Sequence, residues 1–271
     1  MNKKTFTPNK RKAFSLIELS IVLIIIGLLI AGVTGGASLI KNAELRKVTE
    51  EARGYQTAVN SFYAKYNALP GDFGTAIGAQ TGTATGNNNG SIEFINAVTG
   101  PAAKMEGNIA WQQLKNDNFV TDVFTPASAD ATTTTTYTTQ LTGGTNVPAS
   151  KSKGGGWAFD SITVASATQN VVVVFGGSTA TATTFLASTA YAMTGTPAVL
   201  TSATSASATG NAQLLSTDAL SIDQKVDDGV ANTGKVTTLL NTANNCSNGA
   251  TFTTATSYKA CALVFLVDPN L

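Results

Sequence analysis

The chain has 271 residues, with 17 Lys+Arg against 16 Asp+Glu, two cysteines and no histidine, and only 12% of its residues are charged. That length suffices for a domain with a real core, whereas the missing histidine removes the commonest general base, the commonest metal ligand and the usual partner of a Ser or Cys nucleophile. A net charge of +1 argues against direct nucleic-acid binding, which takes a cluster of Lys and Arg over several phosphates, and 42 threonines favour a β-rich or loop-rich body.

The charge is unevenly placed. Lys3, Lys4, Lys10, Arg11 and Lys12 lie in the first twelve positions without an acid, and the remainder carries 12 basic and 16 acidic residues. From Leu19 to Ile40 no residue is charged. As a helix this stretch reaches roughly 33 Å, enough to cross the hydrocarbon of a bilayer. A basic head before such a run places the amino terminus in the cytoplasm and the remainder across the membrane. The later apolar segments, Val171 to Phe175 and Ala260 to Val267, are too short to span. A cleaved secretory signal, an uncleaved anchor and a specialised export leader all fit so far, although a secretory signal has a shorter apolar region and a small-residue cleavage site.

Glu18 interrupts the start of the apolar segment, and a lone carboxylate there is costly and marks a function or a specific partner. Lys12-Ala13-Phe14-Ser15-Leu16-Ile17-Glu18-Leu19, behind a basic leader and ahead of Ile21 to Val33, resembles the class III leader of the type IV pilins and type II secretion pseudopilins. The resemblance is strong over residues 10–40. It implies that a prepilin peptidase removes residues 1–13 by cutting between Ala13 and Phe14, that Phe14 becomes an N-methylated first residue, and that the apolar helix stays attached. Ala13 stands where the family has glycine. The resemblance also gives Glu18 a role in assembly. Physically, a carboxylate buried among packed helices needs a cation, and the amine of a neighbouring subunit's Phe14 would supply one and set the register.

Residues 14–40 then form the transmembrane, filament-core helix, and 41–67 its amphipathic continuation. Leu45, Val48, Ala52, Tyr55, Val59, Phe62 and Tyr66 recur at alternating spacings of three and four, one apolar stripe on a helix. Lys41, Glu44, Arg46, Lys47, Glu50, Glu51, Arg53 and Lys65 make the solvated face. Leu69-Pro70-Gly71-Asp72 ends the run. The predicted helix, about 53 residues from Ser15 to Asn67, would be roughly 80 Å long. The stripe suits a coiled-coil stalk or, as the family resemblance implies, packing on a sheet. Gly27, Gly32, Gly35 and Gly36 weaken the helix locally.

The remaining body, 68–271, begins with an irregular loop over Gly71 to Gly90, followed by a short helix from Asn108 to Asp117 around Trp111 and Leu114. Ala131 to Thr139 holds five consecutive threonines and reads as a solvated loop or an edge strand, with O-glycosylation as a further use. Strands are predicted at Trp157 to Val164, Asn170 to Phe175, more weakly Thr183 to Met193, Lys235 to Leu240 and Ala260 to Val267. Ser202 to Gly210 is a small-residue loop. The expected fold is α+β: a long amino-terminal helix packed on an antiparallel sheet.

Cys246 and Cys261 are the only cysteines, and outside the cytoplasm two thiols at this spacing favour a disulfide. A similar loop occurs in many type IV pilins. The densest acidic cluster is Ser221 to Gly229. It reads as a short helix ended by an Asp-Asp-Gly turn, or as a Ca²⁺ site built from Asp223, Asp227 and Asp228, although its spacing is not that of an EF-hand. No catalytic motif accompanies these acids.

The resemblance therefore implies a non-enzymatic subunit of a type IV pilus-like filament, assembled from copies of itself at the bacterial inner membrane. Its partners would be a prepilin peptidase, an assembly ATPase and a platform protein. The final location would be periplasmic or a cell-surface pilus. A type II secretion pseudopilin and a minor, tip-located adhesin are the alternatives.

Overall fold

In the computed structural model, residues 15–78, 85–93, 106–126, 143–151, 155–164, 167–176, 214–238, 246–254 and 261–268 are described. The leader, Ala131 to Thr139, Thr183 to Met193 and Ser202 to Gly210 lie outside them. The chain divides into two compact units, residues 1–43 and 44–271.

The long helix α1 (Leu16–Tyr66, 51 residues) runs through both units. In the first unit its apolar side chains are exposed on every side, from Leu16 and Ile17 through Ile24 and Leu28 to Leu39 and Ile40. The polar groups within this stretch are satisfied locally. The Ser20 hydroxyl donates to the Ile17 carbonyl at 2.9 Å, and that of Thr34 to Ile30 and Ala31 at 2.9 and 3.1 Å. Such back-bonding lets a hydroxyl enter hydrocarbon without an unpaired proton. The helix is continuous through Gly27, Gly32, Gly35 and Gly36.

The second unit is built on the other half of α1. Leu45, Val48, Ala52, Tyr55, Val59 and Phe62 are buried as the periodicity predicts, with Tyr66 partly buried against the same core. Asn67 takes a left-handed conformation (φ 51°), and its N–H donates to the Tyr63 carbonyl at 2.8 Å, so the helix stops before the proline. Gly71 then turns at φ 88°, where a Cβ would meet the Glu106 carbonyl at 2.4 Å. Helix α2 (Glu106–Asn116) lies within two residues of its predicted bounds and is buried over most of its length.

Strands β1 (Ala149–Ser150), β2 (Gly155–Val164), β3 (Ala167–Gly176), β4 (Val236–Thr238) and β7 (Leu263–Leu266) form one antiparallel sheet in the order β1-β2-β3-β7-β4. β5 (Ser247–Asn248) and β6 (Thr251–Phe252) pair separately, and helix α3 (Ser216–Val226) precedes β4. β2 and β3 pair along ten residues, with Trp157 opposite Val174 and Phe159 opposite Val172. Both faces of this ribbon are buried from Trp157 to Ser161 and from Val171 to Phe175. That explains why Trp157 to Phe159 and Val171 to Phe175 are continuously apolar rather than alternating, while Asp160 and Ser161 are polar residues buried in the same ribbon.

Aromatic contacts join the helices to the sheet. The Tyr55 ring meets Trp111 of α2 edge-on at 5.0 Å and Trp157 of β2 at 5.4 Å, and Trp111 packs on Phe159 at 4.3 Å. Lower on α1, Phe62 contacts Tyr66, Phe73 and Phe119 at 4.7, 6.1 and 6.2 Å. Phe62 is fully buried at the centre of this second cluster. Phe62→Ala is therefore expected to destabilise the second unit by about 3–4 kcal/mol, and thermal melting of the detergent-solubilised chain, followed by near-ultraviolet circular dichroism, checks it.

Candidate functional site

At the amino end of α1, Ser15 precedes the first helical residue and Glu18 is the third, so Ser15-Leu16-Ile17-Glu18 has the spacing of a capping box. The Ser15 N–H donates to Glu18 Oε2 at 2.9 Å. A carboxylate in the first turn also faces the positive end of the helix dipole. Within one chain, the acid in the apolar segment thus has a partner, and both ends of the bond are exposed. Ala13 and Phe14 lie outside the described residues.

In the second unit the structure corrects one expectation. Glu51 is buried, not solvated, because it lies on the edge of the stripe facing the sheet. Its carboxylate accepts the Lys151 N–H at 2.9 Å, the Trp157 indole N–H at 3.2 Å and the Ser150 hydroxyl at 3.4 Å. One α1 side chain thereby fastens the start of the β1-β2 ribbon. Burial raises the Glu51 carboxyl above its usual range, while the Lys151 and Trp157 donors pull it down.

Other buried acids hold the loop that the sequence left irregular. Asp72 accepts the N–H groups of Asn89 and Gly90, both at 2.8 Å, and Glu106 those of Asn87 and Glu93, at 3.2 and 3.1 Å. Asn170 of β3 completes the anchorage by accepting the Ile92 N–H at 2.6 Å and donating to the Gly90 carbonyl at 3.3 Å. These carboxylates are structural clamps for backbone donors.

Cys246 and Cys261 are joined by a disulfide, with both residues fully buried. The bridge abuts α3. The Ser216 hydroxyl donates to the Cys246 carbonyl, and Leu214 pairs with Cys261 in an isolated antiparallel bridge. At the other end of α3, Asp223, Asp227 and Asp228 come together, each with a ligand oxygen within 4.8 Å of the others. Asp223 is fully buried, Asp227 intermediate and Asp228 exposed. Burial pushes the Asp223 carboxyl up to about 7, the charges of Asp228 and Asp227 push the same way, and the Gly229 N–H opposes them. The helix ends at Val226, as the reading of a short helix followed by an Asp-Asp-Gly turn expects, and the acids gather on its last turn and the turn beyond.

Residues 8–34 match the family model of the prokaryotic N-terminal methylation motif. That stretch includes Ala13, Phe14 and Glu18. No curated protein and no solved structure matches the chain.

Glu51 provides the test of this network. Glu51→Leu strands buried donors and is expected to cost about 2–4 kcal/mol, whereas Glu51→Gln keeps one acceptor oxygen, strands fewer of them and costs less. A raised carboxyl binds its proton more tightly in the folded state, so its contribution to stability is full below the ordinary 4.5 and is lost as pH rises above it. Melting curves between pH 4.5 and 7.5 should accordingly fall more steeply for the wild type than for Glu51→Gln.

Proposed function

Because the chain carries the prepilin-type amino-terminal signal of the type IV pilins and pseudopilins, we propose that it is a structural subunit of a type IV pilus-like filament. Prepilin peptidase removes residues 1–13, the apolar half of α1 holds the subunit in the inner membrane, and that same surface becomes the core of the filament. The observation that carries the reading is the methylation motif laid over a helix whose apolar residues from Leu16 to Ile40 are exposed all round. Such a surface needs lipid or other helices against it.

The transfer from one to the other explains what Glu18 does. A cytoplasmic assembly ATPase and a platform protein move the subunit from the membrane into the filament, where the Phe14 amine of a neighbour meets the Glu18 carboxylate. Before assembly, the Ser15 N–H occupies one carboxylate oxygen and lowers the cost of keeping the charge in an apolar helix. The work of the protein is packing against its own copies, without catalysis and without direct nucleic-acid binding. A disulfide-closed segment and a threonine-rich body favour display on the cell surface. A short secretion pseudopilus and a low-copy tip adhesin would use the same leader.

Two measurements test the reading. Mass spectrometry of the mature protein should find methylated Phe14 as the first residue, and a chain still beginning at Met1 would overturn it. Glu18→Ala and Glu18→Gln should both remain in the membrane and lose filament yield by tenfold or more. Because glutamine preserves the capping bond, normal yield with Glu18→Gln would show that the charge is not needed. Imaging of a deletion strain separates the uses: missing surface fibres mark a pilus subunit, and intact fibres with failed protein export mark a pseudopilin.

A further inference from the structure

The acids at the end of α3 form an arrangement that the rest of the molecule does not balance. Asp223 lies within the helix and is fully buried, and neither of its carboxylate oxygens accepts a formed hydrogen bond, the Gly229 N–H acting on it only through its field and outside hydrogen-bonding geometry. Elsewhere in the core the buried carboxylates of Glu51, Asp72 and Glu106 accept backbone or indole N–H groups. Asp227 and Asp228 crowd Asp223, with ligand oxygens of all three within 4.8 Å of one another. No ion pair among the described residues reaches any of the three, and the side chains of Lys225 and Lys235 are exposed.

Like charges this close repel, yet the loop holds them in place. Asp227 Oδ2 accepts the N–H groups of Lys235 and Val236, the latter at 3.0 Å. Asp228 accepts the Val230 N–H at 2.8 Å and the Thr233 hydroxyl at 2.6 Å. The turn that brings these donors round passes through Gly234 at φ 83°, where a Cβ would lie 1.9 Å from Asp227 Oδ2. Two acids are thus oriented by their own loop towards a third that has nothing to bind. Buried carboxylates of this kind are paired or coordinate a metal.

We propose that Asp223, Asp227 and Asp228 bind a divalent cation of calcium size, which fastens the end of α3 to the turn entering β4. The donor set is all oxygen, which suits calcium or magnesium rather than a transition metal. Asp223 can offer both oxygens to one ion, Asp227 retains Oδ1, and the exposed side at Asp228 leaves room for water. A bidentate carboxylate with a flexible complement of six to eight oxygens fits Ca²⁺, whereas Mg²⁺ demands a tighter octahedron. The site stands independently of the filament reading, because none of its residues belongs to the amino-terminal signal.

The test uses the full-length chain in detergent, stripped with EDTA and melted with EDTA, CaCl₂ or MgCl₂. Calcium at a hundred times its Kd should raise Tm by roughly 5–10 °C, and magnesium at the same concentration much less. Asp223→Asn should abolish the calcium shift, yet melt in EDTA at or above the wild type, because the buried charge is gone. Asp228→Asn should weaken calcium affinity by tenfold or more, measured by isothermal titration, with a stoichiometry of one in the wild type. The proposal is overturned if the wild type shows no shift at millimolar calcium, if magnesium acts equally, or if both variants keep the wild-type response. Should Asp223→Asn fail to fold, the affinity of Asp228→Asn decides alone.

Discussion

Tyr55 is where three elements meet: its ring touches Trp111 on α2 and Trp157 on β2 while its backbone belongs to α1. This contact ties α1 to both α2 and the sheet. A threonine-rich chain with 7% aromatic residues has few large side chains to spend, and those on the stripe of α1, Tyr55, Phe62 and Tyr66, meet aromatic rings from α2, the sheet and the loops. Edge-to-face pairs of this sort add to the stabilisation from burial alone. The constraint also runs back to the sequence, because the aromatic positions of α1 must keep helical period while the residues around them remain charged. The first half of α1 obeys no such rule. There the side chains are apolar on all faces, and a single helix serves two different surroundings.

With so many small residues, the loops of the second unit cannot be held by apolar packing alone. Buried acids take over that task. Asp72 and Glu106 bind the backbone of residues 87–93, and Glu51 binds the start of β2. Each desolvated carboxylate is compensated by two or more donors, the condition under which burying a charge is tolerable. Asp223 departs from this pattern, which is why its surroundings point to an ion and not to another clamp.

The periodic features of the fold were legible in the sequence. The stripe from Leu45 to Phe62 follows from spacing, and β2 and β3 follow from β-branched runs such as Val171 to Val174. Helix α2 was visible through Trp111 and Leu114. Elements of two residues, such as β1, β5 and β6, have no period to detect. Glu51 was misjudged for a physical reason: an amphipathic pattern assigns every carboxylate to solvent, and only the long-range position of Trp157 and Lys151, about a hundred residues away, reverses this. The Ser15–Glu18 cap is the opposite case, since its spacing is readable in the sequence, whereas the cost of a charge in an apolar helix by itself points to partners on other chains. For the acidic cluster, adjacency in sequence was plain, whereas the burial of Asp223 was not.

The order β1-β2-β3-β7-β4 puts the strand that comes last in the chain inside the sheet, paired on one side with β3 and on the other with β4. A nascent chain leaves the ribosome amino end first, so β3 must wait with Val171, Val172 and Val173 unpaired on that edge until residues 263–266 have been made. An apolar strand left open in this way invites pairing with other chains. Synthesis and closure are therefore separate events for this molecule, and any cellular factor that shields an unfinished sheet edge would act in the interval between them.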